Sequence, residues 1–596
     1  MTITLLTDGI LGSLQVGFST RVAAIAALPN MATGTVFLVG NLSFIKDGGS
    51  SIPDMPGAAP ASLFQADVEH FRSGTTTTAN DAAMTAAVAW LNAADYRHLS
   101  AAGVYTISAP LPAITGRGKW LRFASATLTM TGGANGKFIA VGVTGGAQPI
   151  NFQADFGDLN VGSTCPGNDV AIDVVSCVVA RIHVNRTNNL GTLLRVGGPA
   201  AGDKAQLLHF YCGGGASAIN GGDSDQIILV RNATNCKIEA EYNCGIPGNL
   251  NANGALVRIK GIPGGIVDTI HLIACHMQMF SANYQTTPNG RPYGLDVDMT
   301  ECKATNIWVE NGTHFDHTTN KAVWVHDAVG STDDARVLNL QGLARIDVDA
   351  GEGIVIEKLS PSTVTWASFD LGCGRYSSAG SGDIVRIAGA GMRACHLSDA
   401  SLVGFNAAKA RAIAIGSDGW SVTGNTIGQN NSGASLISAG IEVTNAAVTD
   451  LYIAGNQCAP DIPAEIIVPT FTTPDASAPR RNISRPGHVS TRTLSFADHA
   501  ANIVAVTSGV IPAGEHSVIR INITAGATVT DITSSLGGLP VYTLVNINTG
   551  AVTLTHNNGK LRNNSKANIV LGQHESVTYL RTAPGSTAWQ QIGGKA

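Results

Sequence analysis

Nine short segments of this chain set a polar, ionisable or flat aromatic side chain beside apolar ones in strand-like alternation. R-I-H-V presents His183, K-I-E-A Glu239, T-I-H-L His271, N-I-W-V Trp308, V-L-N-L Asn339, S-F-D-L Asp370, A-C-H-L His396 and L-Y-I-A Tyr452, and Thr423 stands just outside the apolar pair of W-S-V-T. Glu241 and Glu310 lie two residues beyond Glu239 and Trp308, hence on the same face of a strand. An ordinary solvated sheet face carries Lys, Thr, Ser and Glu. Histidines, rings and acids with little Lys suit a different task, stacking on the faces of sugar rings and serving their hydroxyls or glycosidic oxygens with carboxylates.

The elements that must position these residues are visible as a repeat. A second set of strands keeps two apolar positions one residue apart: Ile172 and Val174, Leu194 and Val196, Ile228 and Val230, Val257 and Ile259, Leu295 and Val297, Val323 and Val325, Ile354 and Ile356, Val385 and Ile387, Ile413 and Ile415, Ile441 and Val443. From Ile228 onward the first members are 29, 38, 28, 31, 31, 28 and 28 residues apart, a period that marks a solenoid. The longest interval holds YQTTPNGRPYG, a turn-rich insertion. Alternation inside a period near 29 predicts a right-handed, single-stranded parallel β-helix, each rung contributing two or three short strands that pair with those above and below. The leucine-rich horseshoe needs a Leu/Asn consensus that is missing here, and a propeller blade is longer. V-T-G-N at Val422 to Asn425 returns as I-A-G-N at Ile453 to Asn456, so Gly and Asn are expected to turn the chain through left-handed backbone at one corner of successive rungs.

In such a stack the inward residues form the core, and chemistry belongs to outward columns. Carboxylates two rungs apart are roughly 10 Å apart at the backbone, and side-chain tilt brings them to the ~6.5–9.5 Å of an inverting hydrolase. Glu239 or Glu241 with Glu310, and Glu310 with Asp370, meet this condition, and Asp316 joins them if Phe315 of N-G-T-H-F-D-H points inward. Glu310, Glu241, Glu239, Asp316 and Asp370 are the candidate catalytic acids. Trp308, Trp324, His271, Asp296, Arg291, Tyr293 and His314 are the candidate substrate-binding residues, with the insertion that carries Tyr284, Arg291 and Tyr293 walling one side of a cleft. A lyase is the alternative, with His271 or Tyr293 as base and Arg291 neutralising a uronate. His314, Asp316 and His317 alternate across a strand, which argues against a shared metal, and no metal or cofactor is expected.

Composition agrees with strands and turns. Charged residues are 13% of 596, about half the usual share, and glycine is abundant at 69. A net charge of -5 leaves no electrostatic footprint for nucleic acid, and no apolar run reaches the ~20 residues of a membrane span. The N-terminus lacks the basic and apolar regions of a signal peptide. The ten cysteines, all between Cys165 and Cys458, lie in strand-like contexts without a C-x-x-C pair, and reduced buried thiols are expected.

Before the repeat, ANDAAMTAAVAWLNAAD reads as a helix capped by Asn80 or Asp81, with Met84, Val88 and Leu91 on one face. Followed by A-A-G-V-Y-T-I-S, it resembles the capping module of pectate-lyase-like β-helices in bacteriophage tailspikes, with Ala101 or Ala102 where Pro is usual but Gly103 and Tyr105 kept. The segment TRVAAIAALPNMATGTVFLVGNLSFIKDGGS is similar to the tailspike stretch leading to a D-G-G-G turn, here Asp47, Gly48, Gly49 and Ser50. Beyond residue 488, HSVIRINIT, PVYTLVNINT, AVTLTH and ESVTYLRT suggest a β-sandwich similar to those that close tailspike trimers.

The expected organisation is an N-terminal virion-attachment segment over 1–60, a capping helix and approach to the β-helix over 61–110, the parallel β-helix over 111–487 and a C-terminal β-sandwich over 488–596. The resemblance implies a homotrimer in the virion's tail, made in the host bacterial cytoplasm and joined through its N-terminus to a tail or baseplate protein. It further implies recognition and hydrolysis of a bacterial surface polysaccharide, with a lyase or a non-catalytic receptor-binding fibre as alternatives and no nucleic-acid or membrane partner.

Overall fold

Strand follows strand along this chain because β-branched and small residues alternate between turns, and the pairing of those strands in a computed structural model matches the repeat. The structure describes residues 16–47, 52, 54–55, 58–131, 137–161, 170–188, 192–217, 226–244, 254–279, 293–301, 303–304, 306–310, 312–329, 339–341, 345–360, 365–429, 436–448, 450–469, 480–483, 503–505, 509–513, 518–522, 528–534, 541–547, 550–583 and 586–593. They form an all-β arrangement of long parallel sheets, β-helix-like in character, with α-helices at Arg21–Ala27 and Thr77–Asn92. Two units separate, residues 1–444 with 455–468, and residues 445–454 with 469–596.

In the first unit a twelve-stranded sheet runs from Lys137–Val141 to Ala464–Ile467. Its register is the predicted one: Ile172 faces Leu194, then Ile228, Val257, Leu295, Val323, Ile354, Val385, Ile413 and Ile441 follow in one line. All ten are 0% exposed, and each full burial contributes about 1.5–3 kcal/mol. One aligned row of apolar side chains therefore specifies the sheet, since a one-residue slip would turn every strand inside out.

A second parallel sheet runs from His98–Ile107 and Trp120–Met130 through Ala180–Asn188, Ala233–Cys244 and Ile266–Ile273 to Trp420–Thr423. Here the register differs from expectation. Cys236, not Ile238, faces Ile270, and Ile238 faces Leu272. The reason is that Cys236 is itself an inward, fully buried hydrophobe, so the strand Ala233–Cys244 has inward positions at Cys236, Ile238 and Ala240.

The helix Thr77–Asn92 begins earlier than predicted. Thr76 caps it by accepting from the Ala79 amide, while Asn80 is buried and donates to the Thr106 carbonyl, and Asp81 binds the Ser108 amide. Met84, Val88 and Leu91 form its buried face as expected. Lys119 reaches its C-terminal end and donates to the carbonyls of Leu91 and Ala94, where the helix dipole favours a cation.

At one corner Gly424 and Gly455 have φ of +67° each, as predicted, but Asn425 and Asn456 have no positive φ. They are 0% exposed and face inward. Asn425 accepts from the Ala400 amide and donates to the Leu397 carbonyl and to Asn456 Oδ1, and Asn456 donates to the Val422 carbonyl. Thr313 does the same with a hydroxyl, accepting from the Cys275 amide and donating to the Leu272 carbonyl. The pairs are therefore a glycine turn followed by a buried bond donor that reaches back one rung, which satisfies polar backbone at the corner.

The second unit has its own core of Ile511, Val529, Ile532, Tyr542, Leu544, Leu554, Tyr579 and Trp589, among others. Val541–Asn546 pairs antiparallel with Ser576–Arg581, which pairs antiparallel with Trp589–Gln591, while Ile503–Ala505 and Val518–Asn522 pair in parallel.

Candidate functional site

Outward positions of the second sheet fall into two rows, two residues out of step. One runs Asp155, His183, Tyr211, Glu239. The other runs Lys237, His271, Trp308, Asp370, His396, Ser421, with Gln341 in backbone register between Trp308 and Asp370. Glu239 is thus not in line with His271, and Gln341 and Ser421 hold the places that the apolar pattern assigned to Asn339 and Thr423. The offset at Glu239 follows from the inward cysteine at 236.

The described candidate acids have separate local partners. Glu239 is bonded to Lys237 at 2.5 Å and lies 3.5 Å from His209, and the lysine bond lowers its proton affinity. Glu241 is exposed and stands opposite His276. Asp370 accepts from the Gly372 amide at 3.0 Å, closing a local turn. Glu310 lies opposite Ile273 on its strand, and its side chain, like all of Arg291 and Tyr284, is outside the described residues.

On the first sheet the predicted binding residues Asp296, Trp324 and Tyr293 already have partners. Asp296 is 3% exposed and takes hydrogen bonds from Arg258 and His326 at 2.8 and 3.0 Å. The Trp324 ring is stacked by Tyr293 and His326, has the Lys321 ammonium 4.5 Å from its centroid and donates to Glu357. Tyr293 is itself buried, which raises its proton affinity. Trp308 and His271 lie parallel, their centroids 5.7 Å apart, both half-buried.

Asp316 leads to a different cluster. Phe315 points inward at 0% exposure, as required, and the strands His314–Thr318 and Arg345–Val348 pair around an irregularity between Phe315 and Thr318, with His317 at φ +61°. Bulges of this kind re-aim side chains. His314 stands opposite Arg345. The Arg345 guanidinium lies 3.6 Å from Asp316 and 3.5 Å from Asp347, and Ser377 donates to Asp347 at 3.1 Å. Burial raises the proton affinity of Asp347, and the neighbouring Asp316 charge adds to it. His317 contacts Asp349 at 3.1 Å, and that bond raises its proton affinity. Asp347 and Asp349 are the residues that the sequence reading missed. Their signal was R-I-D-V-D, in which Ile346 and Val348 take the inward places and set both acids outward.

A carboxyl of raised proton affinity beside a second carboxylate is the equipment of proton transfer to a leaving oxygen. Among the described residues no group of three His, Cys, Asp or Glu has the geometry to hold a metal ion. Comparison with family models, with curated proteins and with solved structures returns no match.

Proposed function

We infer that this chain is a bacteriophage tailspike that recognises and cleaves a bacterial surface polysaccharide by glycosidic hydrolysis. In this reading the parallel sheets are a right-handed β-helix, the helix Thr77–Asn92 caps it, the C-terminal strands form a β-sandwich that closes a homotrimer, and the N-terminal segment docks on a tail or baseplate protein of the virion. The observation that supports hydrolysis best is Asp347, a desolvated carboxyl that shares the Arg345 guanidinium with Asp316. Asp347 is the proton donor and Asp316, one of the five candidate acids, its carboxylate partner.

A second reading, a receptor-binding fibre without catalysis, is favoured by the self-paired state of Glu239, Asp296 and Asp370. Incubation of the purified chain with capsular and O-antigen polysaccharides from a panel of bacteria decides between them. New reducing ends support hydrolysis, unsaturated products replace it with elimination, and tight binding without either product leaves the fibre.

A further inference from the structure

Several strands before the Asp347 cluster, the second sheet carries a groove. Two adjoining clefts of about 430 and 450 Å³ share Trp120, Gln153 and Arg181. They run over the strands from Trp120–Met130 to Ala233–Cys244, five strands that span roughly 19 Å at the ~4.8 Å strand spacing. That length suits a short oligosaccharide.

The lining has two kinds of group. Flat rings come from Trp120, half-buried, and from Tyr211, 40% exposed and 4.9 Å from the His183 ring. One cation, Arg181, lines both clefts, and a second, Arg122, lies 3.6 Å over the Trp120 ring and opposite Asp155 on the next strand. The acids nearby are already engaged. Asp155 accepts from Trp120 Nε1 at 3.0 Å and faces His183 at 3.9 Å, and Glu239 is held by Lys237. Arg122 and Arg181 are both exposed and have no carboxylate partner among the described residues. On the first sheet the pattern is the reverse: Arg195 is bonded to Asp173, Arg258 to Asp296 and Arg386 to Glu352 and Glu357.

We propose that this groove binds an acidic saccharide, its rings stacked on Trp120 and Tyr211 and its anionic groups taken by Arg181 and Arg122. The proposal rests on the glycan reading of the chain and adds a site and a charge class to it. Guanidinium forks match carboxylates and phosphates alike, so the anion is a uronate-type carboxylate or a phosphate ester.

The test is calorimetric titration of the full chain with galacturonate hexamer, phosphorylated maltohexaose and cellohexaose. One acidic probe is expected to bind at least tenfold more tightly than cellohexaose, and which one identifies the anion. Arg181→Gln should remove that margin and Trp120→Ala should weaken the acidic probe about tenfold, while Arg393→Gln, an exposed arginine elsewhere, should change neither. Equal binding of acidic and neutral probes overturns the charge class and leaves the glycan reading standing. Failure of all three to bind, or an unchanged margin in Arg181→Gln, overturns the site, whatever the reducing-end assay shows for the whole protein.

Discussion

Asp316 and Asp347 sit on neighbouring strands with one guanidinium, that of Arg345, within 3.6 Å of the first and 3.5 Å of the second. The two differ in exposure: the Asp316 side chain is 6% exposed, whereas that of Asp347 retains 19%. The more accessible acid is the one whose proton affinity burial and like charge raise, which is the division of labour that a proton donor needs.

Asp347→Asn should therefore lower the rate of reducing-end release by a factor of about 10²–10⁴ with little change in polysaccharide affinity. Activity that needs the protonated acid falls as pH rises through the Asp347 value. Asp316→Asn removes a neighbouring negative charge and lets Asp347 ionise more readily, so the alkaline limb of the pH–rate profile should move to lower pH. A limb that stays in place would separate the two acids.

The pair His317–Asp349 predicts a pH-dependent stability. The folded value of His317 is raised above its unfolded ~6.5, so the stabilisation is complete below that pH and is lost as pH rises through the folded value. Asp349→Asn should be less stable than the natural chain by about 1–2 kcal/mol at pH 5.5, by the worth of a charge-assisted bond. The gap should close by pH 9 in thermal melts run at both pH values.

Two glycines with positive φ should respond unequally to alanine. Gly103 has φ +92° and open space where a Cβ would stand, so Gly103→Ala meets only backbone strain of about 1–2 kcal/mol. Gly351 has φ +82°, and its Cβ would overlap the Asn320 carbonyl oxygen, the acceptor of the Glu352 amide. Gly351→Ala should cost about 3 kcal/mol or more, by adding a clash to that strain, and circular dichroism melts should rank the two in this order.

Thiol chemistry gives a fourth check. Cys177, Cys212, Cys236, Cys275, Cys395 and Cys458 are buried, and burial pushes Cys236 up to about 12 and Cys177 up to about 11. Cys373 is exposed. Under native conditions at pH 8 an aromatic disulfide reagent should label Cys373 rapidly and these six only after unfolding, read by mass spectrometry of the labelled peptides.

The first sheet was legible residue for residue because Ile, Val and Leu at fixed alternation exclude a one-residue slip, which would expose them all. The second was legible in kind but shifted, because Cys236, expected to be buried, was not counted as the inward position that pairs with Ile270. Residue types at the site were recognisable, but their pairings were not. Nothing local tells that Trp324 is stacked by Tyr293, or that Asp296 is committed to Arg258, since those partners come from neighbouring strands 31 and 38 residues away. Asp347 stayed hidden because its importance lies in what Arg345 and Asp316 do to it.

The corner formed by Thr313, Asn425 and Asn456 bears on how a chain of near-copies counts its own turns. An isoleucine stacks on the valine of the next rung about as well as on that of the rung after, so apolar contacts alone tolerate a whole-turn miscount. Buried amides do not. Asn456 closes on the Val422 carbonyl and on Asn425, and Asn425 closes on Ala400 and Leu397. A stack assembled one turn out of step would strand these groups in a dry interior. The asparagines thus act as an index mark, rejecting miscounted assemblies that the hydrophobic core would accept.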